Sequence, residues 1–496
     1  MNVQSIYGIH SSVRRTVRLV KLTTSVRILP GLQIARKFHR TVGNYGYGLP
    51  KLTPQQVTGI LRANEGSFDY QSNSVRYTES NQLNANTPLE DRRAQAKCTL
   101  TNGMLFGVFD GHGGCSCAQA VKERLFGYIA VSLLPPDLLS RYDLACRNNE
   151  TMDILEWFKY ENDYVNQRMN SLYAKSLYKY ASETLSIVDI DEEFTVGKAL
   201  EDACVRLDAD ISTEALPTGV MGNLNIESLE VAFSGAVSVV AHIDGPHVHI
   251  ANVGDCRAVL GSVNEDTGDW FATSLSEEHN CDNASERQRI LANHPPNEAS
   301  FVLKTDRLLG QLAPLRAFGD VRFKWRTNDL KHVIKYIDTP FAKDLIPPNY
   351  YTPPYLNAVP EISYHRLTPR DRFLILASDG LWDVLTPDKV VKLVGEHTLG
   401  KQTVDRFVLP RGEKIALNDL NKLLINRKMG LEMRPVDTNS ATHLIRNALG
   451  GTSDGLEHRK LSAMLSYPSN IVRYFRDDIT VTVIFFDTDY LRTCPA

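Results

Sequence analysis

The sequence lacks the cysteine patterns of disulfide-stapled domains and of zinc sites. Its eight cysteines include no CxxC pair and show no dense, regular spacing, which favours a reducing compartment over a secreted scaffold. No His/Cys pattern predicts zinc. Cys115 and Cys117 form the one close pair, and we interpret them as small residues at the start of a packed helix, with redox or metal chemistry as the alternative.

Acidic residues are absent from the first 64 positions. Basic residues are instead spread there among Ser, Thr, Val, Leu and Ile, at Arg14, Arg15, Arg18, Lys21, Arg27, Arg36, Lys37 and Arg40. This composition is typical of a mitochondrial transit peptide, and a disordered basic tail is the alternative. We predict a transit peptide and linker over residues 1–50, with the linker at residues 43–50, and a location in the mitochondrial matrix.

Long apolar runs and a strong net charge are also lacking. No stretch approaches the roughly 20 apolar residues that a membrane-spanning helix requires. The net charge is −3, from 55 basic and 58 acidic residues, so nothing predicts attraction to nucleic acid or to an anionic membrane. The balanced charge after residue 65 also argues against the basic groove of a binuclear-metal nuclease or phosphodiesterase.

Short apolar runs and periodic segments predict an α+β sandwich. Asp244 and Gly245 join two of the runs as a hairpin, and helices are expected between groups of adjacent strands rather than in βαβ units. The predicted strands are 104–109, 237–243, 247–253, 257–260, 373–377 and 479–486. The predicted helices are 118–133, 152–185, 195–212, 285–292, 387–397, 441–448 and 459–465.

Carboxylates recur at the edges of these strands, where we expect them to lie outside the apolar core. They are Glu90, Asp91, Asp110, Asp379, Asp477 and Asp478. Carboxylates gathered in one place repel each other unless cations neutralise them. Mg²⁺ or Mn²⁺ is the ion that prefers oxygen ligands and keeps some of its waters. Two such ions would activate a water for attack on phosphorus, without a covalent phosphoenzyme. Taken singly, each aspartate is better interpreted as a turn or cap residue, and only their combination favours a metal site.

Six motifs in order resemble the type 2C protein phosphatases. They are LEDR at 89–92, FGVFDGHGG at 106–114, NVGDCR at 252–257, RAFGD at 316–320, ASDGLWD at 377–383 and RDDIT at 476–480. The resemblance implies a sandwich of two antiparallel sheets flanked by helices. It also implies one metal-dependent phosphatase catalytic domain over 55–490, with insertions at about 134–195, 322–358 and 400–440.

The resemblance assigns metal ligands motif by motif. Asp110 would bridge two Mg²⁺ or Mn²⁺ ions and the Gly111 carbonyl would serve one of them, while Asp379 and Asp477 would complete the other site. Glu90 would hold a metal-bound water.

Two further residues would carry out the chemistry. Asp91 would orient the attacking water, and His112 would donate a proton to the departing serine oxygen. The alternative for His112 is a structural turn histidine. Asp255 is either part of a third metal site or a turn residue. Asp478 stands where the wider family usually has Asn, so we expect it to hold the metal ligands in place without binding the metal itself.

One departure from the family concerns phosphate capture. Relatives often carry an Arg shortly before the Glu-Asp pair, and Asn86 stands about there. Losing a bidentate guanidinium predicts weak activity on small aryl phosphates and reliance on docking of a whole substrate protein. Arg92 and Arg93 are candidates for compensation.

Further stretches resemble one subgroup of the family, the catalytic subunits that act on phosphorylated pyruvate dehydrogenase. They include SNQLNANTPLEDRR, RLLGQLAPLRAFGDVRFKW and IPPNYYTPPYL. This implies removal of phosphate from seryl residues of the pyruvate dehydrogenase component, which reactivates its complex. It also implies docking on the lipoyl domain of the acetyltransferase core, Ca²⁺ at that partner interface, and a regulatory subunit. The alternative is a catalytically inactive scaffold, although Asp110, Asp379 and Asp477 are all present.

Overall fold

The computed structural model describes residues 51–72, 74–187, 194–217, 224–336, 345–405 and 415–495. The predicted transit peptide and linker at residues 1–50 therefore lie outside the described residues. Within those ranges, no helix combines the length and the apolarity needed to cross a membrane. The described chain forms two compact units, one from residues 90–257 and 276–365 and the other from residues 51–89, 258–275 and 366–495.

The first unit is built on a sheet whose central strand carries the DGH motif. In spatial order its strands are Glu361–Arg366, His247–Val253, Gly235–Asp244, Met104–His112, Arg92–Cys98 and Leu155–Trp157, with Phe318–Gly319 paired to Gly235–Asp244. Its helices are Ser116–Ser132, Pro136–Arg147, Asn170–Ile187, Val196–Glu214, Ile226–Phe233, Ala284–Ala292, Ala299–Val302 and Thr327–Ile334. Short 3₁₀ turns occupy Pro296–Glu298 and Val321–Phe323, and Leu303–Lys304 pairs with Arg307–Leu308.

A buried helix covers one face of this sheet. The helix Ser116–Ser132 is buried along nearly its whole length, and Phe126 lies 6.1 Å from Phe109 of the central strand between ring centroids. Gly107 leaves room for this contact, because a Cβ there would come within 3.2 Å of the Phe126 ring and closer still to Phe109. The strand that carries Asp110 is therefore fixed from one side by aromatic packing.

The second unit has its own sheet and core. Its strands, in spatial order, are Gly66–Ser72, Val75–Leu83, Ile479–Phe486, Asp371–Ala377, Arg257–Val263 and Trp270–Ser274, and Gly451–Thr452 pairs with Gly455–Leu456. Its helices are Pro54–Arg62, Asp379–Trp382, Pro387–Thr398, Leu417–Glu432, Ser440–Gly450, His458–Leu465 and Thr488–Thr493, with a 3₁₀ turn at Val472–Tyr474. Phe373, Val481 and Leu444 are among the fully buried side chains that join this sheet to its helices.

Most predicted elements are confirmed, two differ in extent, and two strands were not predicted. The predicted helix over 152–185 begins only at Asn170, and Leu155–Trp157 is an edge strand instead. The predicted strand ending at Phe109 continues to His112, because Asp110 to His112 keep pairing with Val237 to Gly235. The strands Gly66–Ser72 and Val75–Leu83 were not predicted, because they carry many polar residues and no apolar run. The first lies at the edge of its sheet and the second lies inside it.

Candidate active site

The sheet of the first unit brings Glu90 and Asp91 next to Asp110 and Gly111. Arg92 pairs with Phe109 in antiparallel register, so the residues just before one strand face the residues at the end of the other. A Cβ on Gly111 would lie 2.6 Å from the Glu90 carbonyl oxygen, and the Gly114 N–H donates a hydrogen bond of 2.8 Å to Glu90 Oε1. These residues form the first carboxylate set, within which only glycine at 111 permits the close approach.

Burial of Asp91 differs from the expectation for strand-edge carboxylates. Its residue is only 1% exposed, although we expected these side chains to lie outside the core. The Arg92 guanidinium donates to the Asp91 carbonyl oxygen at 2.7 Å and so ties the two residues at the start of the strand. A buried carboxylate can persist because charged and hydrogen-bonding groups accompany it.

His112 ends the central strand and faces Asp320 of the RAFGD motif. Its Nε2 lies 2.5 Å from Asp320 Oδ2. Burial lowers the pKa of His112, but the charge of Asp320 and its hydrogen bond, followed by the charges of Asp255 and Glu90, outweigh burial and raise that pKa above its ordinary value. His112 thus has a specific acidic partner, and its role as a proton donor stays a prediction.

The geometry of the His112–Asp320 pair depends on two residues to which the sequence analysis assigned no role, Asp320 and Gly235. Asp320 itself has a left-handed backbone, with φ of 49°. A Cβ on Gly235 would lie 2.0 Å from His112 Nε2 and 2.3 Å from Asp320 Oδ2, so glycine is needed where the pair meets the neighbouring strand. The RAFGD motif was a signal for Asp320, whereas Gly235 has no local signal.

The second carboxylate set belongs to the other unit and is built on two paired strands. Ala377 pairs with Val481, Ser378 N–H donates to the Thr480 carbonyl at 3.1 Å, and Thr480 N–H donates to Ser378 Oγ at 3.0 Å. Asp379 follows at once, and a Cβ on Gly380 would lie 2.0 Å from the Asp478 carbonyl oxygen. The backbone therefore holds Asp379 beside the Asp477 and Asp478 segment.

Asp477 and Asp478 have different surroundings. The Asp477 carboxylate accepts the Asp478 N–H at 2.8 Å and contacts the half-exposed guanidinium of Arg473. Asp478 is 1% exposed, again contrary to the expectation for strand-edge carboxylates, and it accepts from the N–H of Ala85 at 2.5 Å and of Asn86 at 2.8 Å. Asp477 thus contacts a cationic side chain, while Asp478 binds the loop at Ala85 and Asn86.

The donor chemistry of both sets suits Mg²⁺ or Mn²⁺, because all of the candidate ligands are oxygen atoms. The close approaches at Gly111 and Gly380 bring a backbone carbonyl into each set. Within the described ranges, no three or more His, Cys, Asp or Glu side chains form a ready-made cluster for a metal ion.

Comparison with known proteins decides the family. The family model for protein phosphatase 2C matches residues 159–409. The mitochondrial pyruvate dehydrogenase (acetyl-transferring) phosphatase 1 of Bos taurus is 47% identical over 455 residues, which cover 88% of this chain and 83% of the relative.

The chain belongs to the protein phosphatase 2C family. The Homo sapiens protein named mitochondrial pyruvate dehydrogenase (acetyl-transferring) phosphatase 2 is 43% identical, over 88% of this chain and 84% of the relative. The crystal structure of serine-threonine phosphatase 2C from Toxoplasma gondii is 18% identical, with a TM-score of 0.44 over 85% of this chain and 98% of that one. The predictions of the family, of a phosphatase and of an α+β fold with antiparallel sheets and flanking helices are confirmed.

The side chain of Asn86 has a partner within the protein. Asn86 Nδ2 donates to Asp478 Oδ2 at 3.1 Å, so its amide is used within the protein. The Arg93 guanidinium lies 3.8 Å from the centroid of the Tyr160 ring and is buried. Arg92 donates to Gln119 Oε1 at 2.5 Å. These contacts occupy the two guanidinium groups that the sequence suggested as replacements for a phosphate-gripping Arg.

Proposed function

We propose that this protein is a Mg²⁺- or Mn²⁺-dependent protein serine/threonine phosphatase that removes phosphate from phosphoserine of the pyruvate dehydrogenase component and so reactivates its complex. The observation that carries the substrate is the 47% identity to a relative named for that activity, over 88% of this chain. The family match supports the phosphatase chemistry.

The metal-binding residues we propose are Asp110, the Gly111 carbonyl, Asp379 and Asp477, with Glu90 holding a metal-bound water. This assignment rests on the family motifs and on the oxygen-donor chemistry of each set, and not on a distance between the two sets. When bound, such ions would neutralise phosphoryl oxygens and lower the pKa of a bound water.

The remaining chemistry belongs to side chains of the first unit. We propose that Asp91 orients the attacking water by accepting one of its protons in a hydrogen bond. His112, paired with Asp320 at 2.5 Å, would donate a proton to the seryl oxygen as the phosphorus–oxygen bond breaks. Because Asn86 offers no guanidinium, we expect whole-protein docking to supply much of the substrate affinity.

Location and partners are also proposals. We propose the mitochondrial matrix, because the relatives are named mitochondrial and residues 1–50 have the composition of a transit peptide. The lipoyl domain of the acetyltransferase core, a regulatory subunit and Ca²⁺ at the partner interface are carried over from the subgroup resemblance. A single catalytic domain over residues 55–490 stays a prediction as well.

The test is phosphate release from phosphorylated pyruvate dehydrogenase by the chain lacking residues 1–50. Release is expected to require Mg²⁺ or Mn²⁺, to rise when lipoyl domain is added, and to vanish in Asp110→Asn. The full set is repeated with and without Ca²⁺. Release from unrelated phosphoproteins alone would retain the family chemistry and contradict the proposed substrate. Absence of release from any phosphoprotein would favour an inactive scaffold.

A further inference from the structure

We propose that Asp320 orients the His112 ring for proton transfer, and that a partly buried ion pair of Asp208 and Lys324 holds Asp320 in place. Asp320, Asp208 and Lys324 are positioning residues, since they act on the substrate only through His112. The proposal rests on the proposed phosphatase function.

The backbone at Asp320 has a conformation that is unfavourable unless neighbouring residues stabilise it. Asp320 has φ of 49° and Gly319 has φ of 66°, a left-handed conformation that costs about 1 kcal/mol or more for a residue with a Cβ. Two contacts fix it locally: the Asp320 N–H donates to the Ser234 carbonyl at 3.0 Å, and Phe318 pairs with Ala236. The carboxylate is thereby directed at His112 Nε2.

A salt bridge from a helix supports the same short strand. Asp208 lies on the helix Val196–Glu214 and accepts the Gly319 N–H at 2.9 Å. Lys324 Nζ lies 2.7 and 2.8 Å from the two Asp208 oxygens and also donates to the Ala317 carbonyl at 2.7 Å. The Lys324 and Asp208 side chains are 9% and 15% exposed. The two charged groups thus hydrogen-bond to the backbone of residues 317–319, which directly precede Asp320 in the sequence.

Such a pair is better suited to fixing geometry than to adding stability. Burying two charges costs nearly as much free energy as their attraction returns, so a hydrophobic pair would stabilise the fold equally well. What the charged pair adds is a directed hydrogen bond to each of two peptide groups, the Gly319 N–H and the Ala317 carbonyl. We infer that its role is to set the position of the residue that follows them.

The ring nitrogens of His112 then have separate tasks. Nε2 faces Asp320, so Nδ1 is the nitrogen that transfers the proton. As water oxygen bonds to phosphorus, the bond between phosphorus and the seryl oxygen breaks, and its electron pair stays on the seryl oxygen. That oxygen takes the proton from Nδ1, which yields serine, inorganic phosphate and a neutral imidazole that regains a proton from solvent.

Comparing kcat on substrates with different leaving groups distinguishes loss of His112 positioning from a general loss of activity. A seryl alkoxide needs a proton to leave, whereas p-nitrophenolate leaves without one. We therefore measure kcat on a phosphoseryl protein and on p-nitrophenyl phosphate for Asp320→Asn, Asp208→Asn and Lys324→Gln. We expect kcat on phosphoserine to fall roughly 10²-fold and kcat on the aryl phosphate to fall less than about threefold, as loss of a general acid predicts.

Asp210→Asn is the matched control. Asp210 lies on the same helix and accepts from Tyr128 at 2.6 Å and Arg206 at 3.0 Å, remote in its contacts from residues 317–320. We expect it to change both rates by the same small factor. Equal losses on both substrates in Asp320→Asn or Asp208→Asn would overturn the proposal. A wild-type chain inactive on both substrates would instead contradict the proposed function.

A second measurement does not need activity. The ring ¹⁵N–¹H signal of His112 Nε2, assigned by its absence in His112→Gln, is expected far downfield in the ion-free wild type because the hydrogen bond to Asp320 is short. It should move upfield in Asp320→Asn and Asp208→Asn and stay in place in Asp210→Asn. A signal unmoved in Asp208→Asn would overturn the positioning role of Asp208, even where activity falls or one variant folds poorly.

Discussion

Asn86 and Asp478 are joined by two hydrogen bonds, from the Asn86 N–H at 2.8 Å and from its Nδ2 at 3.1 Å. With the Ala85 N–H as a third donor at 2.5 Å, the buried Asp478 carboxylate fixes the loop that leads to Leu89. The amide of Asn86 and the carboxylate of Asp478 therefore complement each other.

Asp478→Ala is expected to destabilise the protein by about 2–4 kcal/mol, because three N–H donors lose a charged acceptor in a buried place. Asp478→Asn keeps one acceptor oxygen and should cost clearly less. Denaturant unfolding of both variants measures the free energies. Similar losses for the two, both below about 1 kcal/mol, would show that the loop does not depend on this carboxylate.

Gly380→Ala is expected to displace Asp379, because the new Cβ would lie 2.0 Å from the Asp478 carbonyl oxygen. Overpacking of this kind costs about 1–3 kcal/mol, and the Mg²⁺ concentration for half-maximal activity should rise. Gly59→Ala is the control: it lies in the helix Pro54–Arg62 with no atom within 4 Å of its Cβ position, so it should stabilise by up to about 1 kcal/mol. An unchanged Mg²⁺ requirement in Gly380→Ala would contradict the role of this backbone contact.

Arg473→Ala is expected to tighten binding of Mg²⁺ or Mn²⁺. The Arg473 guanidinium contacts the Asp477 carboxylate, so it would compete with a cation for that carboxylate. A half-exposed ion pair contributes at most about 1 kcal/mol, so the dissociation constant should fall about two- to fivefold. Isothermal titration measures this directly. Arg492→Ala, which removes an exposed pair with Asp489, should leave the affinity unchanged, and a weaker affinity in Arg473→Ala would refute the prediction.

We expect the folded protein to lose stability in mild acid because of the buried His443. Burial, followed by the neighbouring His397 and Arg446, lowers its pKa to about 3. Because the folded pKa lies below the unfolded value near 6.5, the stabilising contribution is complete above pH 6.5 and is lost as the pH falls toward 3. Between pH 6.5 and 5 the free energy of unfolding should fall by roughly 2 kcal/mol from this group.

The matched variants for this acid effect are His443→Gln and His332→Gln. The first should flatten the pH dependence of unfolding over that range, whatever its effect at pH 7, because the titrating group is gone. The second changes an exposed histidine in the helix Thr327–Ile334 and should keep the wild-type slope. An equal slope in wild type and His443→Gln would show that His443 is not the group responsible.

The sequence determined the elements with strong local signals and the family. Alternation, apolar runs and turn residues sufficed for Met104–His112, for the hairpin at Asp244 and for Ile479–Phe486. The order of the acidic motifs along the chain sufficed for the family. The elements were predictable because each depends on spacing within a few residues, whereas the metal site stays a prediction.

Tertiary structure decided what depends on contacts between distant segments. Nothing near His112 in sequence shows that its partner is Asp320, more than 200 positions away, and nothing near Asn86 shows that its amide binds Asp478. The polar strand Val75–Leu83 becomes central only because Ile479–Phe486 pairs with it. Burial of Asp478 likewise depends on a distant segment, since the N–H groups of Ala85 and Asn86 donate to its carboxylate in the interior.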